Sequence, residues 1–205
     1  MVTSGCPECG FEPGSIAPEV AARRLHTAML GWETVLAGPA ACQRPAPQTW
    51  SPTEYACHVR DLCRLLPARL AMMVSFEDPQ FENWDQDDAA VRHAYWTVQA
   101  AEACADLRRW AAAAASTLQA VADDQMPRTG SRSDGTRMTI GELCANFVHE
   151  VEHHLQDAGG TLPRPGQELD VVCLPELQAG GVARRGLTMP TDPATQQSPP
   201  QSSRN

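Results

Sequence analysis

The stretch Thr139-Ile140-Gly141-Glu142-Leu143-Cys144-Ala145-Asn146-Phe147-Val148-His149-Glu150-Val151-Glu152-His153-His154 decides how this chain is read. It opens with a hydroxyl residue followed three positions later by Glu, the capping-box start of a helix, and it ends in a histidine-rich turn. On a helix of about 3.6 residues per turn, His149 and His153 leave the same face, where two neutral imidazoles can grip one divalent metal. His154 points about 100° away and reads as a flank. Glu150 and Glu152 also fall off that face. The pattern is not His-Glu-x-x-His, in which a glutamate serves a metalloprotease as base. Spacing alone therefore fits a pair of ligands and an ordinary surface or core pair.

Working outward, the helix stops at Gly159-Gly160 and is preceded by a polar connection over 123–138. Ser51-Pro52-Thr53-Glu54 is a second capping box with proline at the first helical turn. It starts a helix carrying His58, with Leu62, Leu66 and Met73 on its pattern, and Pro67 is expected to kink or interrupt it. A first helix is expected from Pro18 to Gly38-Pro39, burying Leu25, Met29, Trp32 and Leu36 with Val20. A long Ala-rich helix is expected over 87–122, with Trp96, Leu107, Trp110 and Leu118 as core candidates. No segment alternates as a strand. These elements predict an all-α, up-and-down four-helix bundle over 17–160, a Cys-containing head over 1–16 and a mostly disordered tail over 161–205.

In a bundle, two helices can present ligands to a shared interior. With the second and last helices antiparallel, His58 faces the C-terminal part of its partner, which makes His58, His149 and His153 a reasonable three-ligand set. Asp61, three residues after His58, and Asp157, four after His153, are candidates to orient the imidazoles from behind.

Composition narrows the classes. The chain has 205 residues, 42% of them hydrophobic, and a net charge of −9, which argues against binding nucleic acid through phosphate neutralisation. No apolar run approaches the roughly 18 residues a membrane span needs and no signal pattern opens the chain, so the cytoplasm is the expected compartment. The eight cysteines read as reduced thiols, with Cys57, Cys63, Cys104 and Cys144 as small core residues. Cys6-Pro7-Glu8-Cys9-Gly10 is half of a zinc knuckle. Cys42 and Cys173, a histidine, or a second subunit of a homodimer are open ways to complete it, and a functionally silent head is the other reading. Arg132, in Arg132-Ser133-Asp134-Gly135, is a candidate to bind a substrate carboxylate if that loop folds over the bundle's end, and otherwise belongs to a turn.

Trp50 to Asp61, Asn83-Trp84-Asp85-Gln86-Asp87, Arg132 to Gly135 and His149 to His154 together resemble the DinB-like superfamily. That superfamily includes YfiT-type proteins and the metal-binding domain of mycothiol-dependent maleylpyruvate isomerases. The resemblance spans about 17–160 and implies a four-helix bundle with zinc or nickel on three histidines, carried over by motif to His58, His149 and His153. It further implies a transferase or isomerase acting on a small electrophile with a low-molecular-weight thiol such as mycothiol. A metal-dependent hydrolase and a non-catalytic, stress-associated metal-binding module are the alternatives. No second domain of the kind that completes some of the isomerases is recognisable.

Overall fold

The structure is a computed structural model describing residues 5–12 and 14–163. The tail from 164 onward, with Cys173, lies outside the described residues. Four long helices build the bundle: α1 (Pro18–Leu36), α2 (Pro52–Ser75), α4 (Ala100–Gln119) and α5 (Ile140–Asp157). A short α3 (Gln86–Arg92) precedes α4. Both capping boxes form as spelled. The Glu54 carboxylate accepts from the Ser51 N–H at 2.9 Å, and Glu142 accepts from the Thr139 N–H at 2.8 Å. Each satisfies donors that a bare helix end leaves without partners.

α1 packs against α4 and α5, and α2 does the same, so the order round the bundle is α1, α4, α2, α5. α1 and α2 thus stand across one diagonal and α4 and α5 across the other, a winding that hydrophobic periodicity does not encode. The centre holds Leu25, Trp32, Leu70, Met73, Leu107, Leu118, Ile140 and Leu155, all fully buried. Val20 is only partly buried. Gly31 lets α1 and α5 approach closely: a Cβ there would sit 2.6 Å from a Leu155 methyl. Among the described residues, no helix is long and apolar enough to cross a membrane.

Four expectations need correcting. Pro67 neither ends nor splits α2, which runs unbroken through it. Buried Cys63, Leu66, Leu70 and Met73 pack the helix on both sides of the proline, so the bundle holds it together across the lost hydrogen bond. The helix expected over 87–122 is instead broken between Arg92 and Ala100, where Ala94 turns left-handed (φ 46°) and Tyr95–Thr97 form a 3-10 turn. That break drops Tyr95 into the core, where its hydroxyl donates to Asp61 at 2.7 Å. Trp96, on the other side of the same turn, is 57% exposed and not a core residue.

Finally, among the described residues three short strands form where none was expected: β1 (Gln80–Phe81), β2 (Thr129–Arg132) and β3 (Arg137–Thr139). β1 pairs parallel with β2 (Gln80 to Ser131), and β2 antiparallel with β3 (Gly130 to Met138). With two to four residues each, they are too short for alternation to show in the sequence. The hairpin turns at Gly135 (φ 84°) and delivers Thr139 as the cap of α5.

Candidate metal centre

The hexapeptide His149–His154 carries two i, i+4 pairs on neighbouring stripes of α5, and the structure gives each pair its own partners. Glu150 and His154 face α2, where they meet His58, one ligand atom of each lying within 4.8 Å of the others. His149 and His153 face the N-terminal segment, where they meet Cys6 and Cys9 within the same limit. The three-histidine set of His58, His149 and His153 is therefore not one group. The cause is the rotation of α5 about its axis, which aims the 150/154 stripe at α2.

His58 sits in the second turn of α2, only 1% exposed, and neither ring nitrogen makes a hydrogen bond. Its Nε2 lies 3.8 Å from Glu150 Oε2, and His154 Nε2 lies 3.3 Å from the same oxygen. The two imidazoles meet edge to face at 4.7 Å. Trp84 stacks on His58 at 5.2 Å, Trp50 lies 5.6 Å from it, and Tyr55 stacks on His154 at 5.3 Å. The aromatic walls fix both ring planes.

The charge balance follows from this placement. Burial pushes the His58 imidazole down, toward its neutral form. Burial also works against ionised Glu150, but the neighbouring imidazoles of His154 and His58 outweigh it and hold the carboxyl well below the usual carboxylate range. For His154 burial opposes the proton, and Glu150 and Asp157 on either side win, so its pKa is raised.

Asp157 faces His154 more closely than His153. Its Oδ2 is 2.8 Å from His154 Nδ1 and 3.4 Å from His153 Nε2. Asp61 does not back His58 as expected. It accepts from Arg60 Nε at 2.9 Å, from Tyr95 and from His93 Nδ1 at 3.0 Å, a network of its own. Arg132 is held within its hairpin by Asp134 at 3.0 Å and Thr136 at 3.2 Å, and its Nε is buried without a partner. Cys42 is exposed beside Thr53, on the α1–α2 connection. Glu152 pairs with Arg24 at 2.8 Å, tying α5 to α1.

Glu150 and His154 are the residues the reading of the hexapeptide left aside. The signal for them was the second i, i+4 register in the same six residues, offset by one position. Chemically, two imidazoles and a carboxylate make a donor set suited to a divalent ion with coordination positions left open. The buried, unpartnered nitrogens of His58 fit such an ion, since buried polar atoms without partners are rare.

A family model for the DinB superfamily matches residues 23–158. Among solved structures, YfiT from Bacillus subtilis is similar to this chain at 14% identity and a TM-score of 0.62, covering 69% of this chain and 83% of that one. YfiT is described as a probable metal-dependent hydrolase with an unusual four-helix bundle topology. At that identity the likeness shows a shared fold. No curated protein matches the chain. The family match runs from the second turn of α1 to the end of α5, across both helices that carry the histidines, and on it the chain belongs to the DinB superfamily.

Proposed function

We propose that this chain is a divalent-metal-dependent enzyme that hydrolyses a small molecule at an ion held by His58, Glu150 and His154. The observation that supports it is the convergence of two imidazoles and one ionised carboxylate from facing helices, with both nitrogens of buried His58 unpartnered. Bound there, a divalent ion supplies a Lewis acid able to acidify a water or a thiol near neutral pH.

The protein side of the site is preorganised. Asp157 Oδ2, 2.8 Å from His154 Nδ1, is placed to accept its N–H, which would commit Nε2, on the Glu150 side, to a bound ion. Trp84 and Trp50 shield His58 from water. The capping box at Ser51 fixes the first turns of α2, on which His58 rides. The likeness to YfiT supports water as the nucleophile. The resemblance to mycothiol-dependent isomerases supports a second reading, in which the same site binds a low-molecular-weight thiol for S-transfer or isomerisation.

One experiment tests both. Metal-depleted protein is reloaded with zinc or nickel and assayed on a panel of small esters and amides, and on a haloaromatic electrophile with mycothiol. Hydrolysis that needs the ion and disappears in His58→Ala supports the proposal. Turnover that needs both ion and thiol replaces it with the transferase reading. No ion-dependent turnover in either assay leaves a non-catalytic metal-binding module.

A further inference from the structure

We propose that Cys6, Cys9, His149 and His153 hold a structural zinc ion, a second metal site that fastens the N-terminal segment to α5. The geometry is that of a closed four-ligand site. One donor atom from each residue lies within 4.8 Å of all the others. Zinc–sulfur bonds near 2.3 Å and zinc–nitrogen bonds near 2.0 Å make the edges of a tetrahedral site about 3.3–3.8 Å. Cys6 Sγ and His153 Nδ1 stand 3.7 Å apart. His149 is 8% exposed, and neither of its ring nitrogens has a hydrogen-bond partner. Four donors brought together from segments 140 residues apart in sequence, one of them buried with nothing to bind, call for a ligand at their centre.

The segment around Cys6 is shaped as a metal knuckle. The Cys6 N–H donates to the Phe11 carbonyl and the Gly10 N–H to the Cys6 carbonyl, both at 2.8 Å. Gly10 has φ 70° with open space where a Cβ would be, so glycine is needed for the turn and not for room. Backbone N–H groups of Cys9 and Glu8 point at the Cys6 sulfur. Phe11 closes the site from below, buried, 5.0 Å from the His149 ring and beneath the Arg24 guanidinium. The far nitrogen of His153 is 3.4 Å from Glu8 and 3.4 Å from Asp157, the carboxylate backing a ligating imidazole uses.

The donor set decides both metal and role. Two thiolates with two imidazoles select zinc over magnesium, calcium or manganese, and four protein ligands leave no position for substrate. The ion is a staple, held by ligands separate from those of the one proposed at His58.

The test uses the full chain loaded with cobalt(II) in place of zinc, with bound metal counted per chain. The expected result is two ions per chain and a near-ultraviolet sulfur-to-cobalt absorption. Cys9→Ser loses that absorption and one ion, whereas His58→Ala loses the other ion and keeps the absorption. In the unmutated zinc protein, Cys6 and Cys9 resist alkylation until a chelator is added. Absence of the thiolate absorption in the unmutated protein, an unchanged ion count in Cys9→Ser, a Cys6–Cys9 disulfide, or free alkylation without chelator each overturns the proposal. Loss of an ion in Cys9→Ser but none in His58→Ala leaves the staple standing and removes the proposed active site instead.

Discussion

Two stripes of one helix, a single residue apart, face environments with opposite chemistry. The Glu150/His154 stripe looks across to α2 and gathers an oxygen and imidazole nitrogens among aromatic rings. The His149/His153 stripe looks to the N-terminal segment and gathers sulfur with nitrogen. The first set has three protein donors and leaves coordination open; the second has four and closes it. A rotation of about 100° per residue is enough to separate the two. Adjacent positions in sequence thus need not serve one site.

The strongest way to break this comparison is to remove one ligand and ask which site feels it. His58→Ala should reduce metal affinity at the α2 side by more than the roughly 10- to 100-fold typical of losing an outer partner. The thiolate side should stay within error, as read by competition with a fluorescent chelator. Equal losses on both sides would mean that the stripes act as one cluster.

Asp61 sharpens the comparison from outside. It is buried at 4% exposure and compensates Arg60, itself buried, while accepting from Tyr95 and His93. Asp61→Ala leaves that guanidinium without its partner and should cost about 3–5 kcal/mol. At about 2–4 °C per kcal/mol for a chain of this size, the midpoint of thermal unfolding falls by roughly 6–20 °C. Both ions should remain at temperatures where the variant is folded. The pH dependence has a definite sign. Burial works against the Asp61 charge, but Arg60 and Tyr95 hold its pKa below the ordinary value. Its contribution is complete above the unfolded value near pH 3.9 and is lost as pH falls through the folded one. Asp61→Asn should therefore flatten the acid limb of the stability curve. Loss of an ion in either variant would put Asp61 back behind His58.

These networks mark what the sequence could and could not say. Ser51–Glu54 and Thr139–Glu142 are local signals, and each formed as written. Leu25, Met29, Trp32 and Leu36 were legible as one face of α1 because helical spacing fixes which side chains align. The rotation of α5 was not legible, because His149–His154 contains two equally spaced pairs and only tertiary packing chooses which one faces α2. Nor were the partners of Cys6 and Cys9, which lie 140 or more positions away. The break before α4 was hidden by alanine, a strong helix former, until the pull of Asp61 on His93 and Tyr95 is taken into account.

Asp157 is where the stripes touch. Its carboxylate is 2.8 Å from His154 and 3.4 Å from His153. Asp157→Asn keeps the shape and weakens the acceptor. Affinity at the His58 side should fall by about 10- to 100-fold, as for other outer partners. The thiolate side should change less, because Glu8 also backs His153 at 3.4 Å. A larger loss at the thiolate site, seen in the same chelator titration, would reverse the assignment of Asp157.

The smallest expected effect comes from the far end of the same helix. Thr139 accepts from the Glu142 N–H, and Thr139→Ala removes that bond at a cost of about 1 kcal/mol, or roughly 2–4 °C. His149 begins nearly three turns further on, with Ile140, Leu143, Val148 and Val151 buried around and between, so packing holds the later turns after the first one frays. Both stripes ride on those turns and must move together if they move at all. Metal affinity at the two sites should therefore be unchanged while the thermal midpoint falls. A cap mutation that weakened one site and spared the other would show that α5 does not behave as one rigid rod between Thr139 and His154, and the two-stripe reading depends on that rigidity.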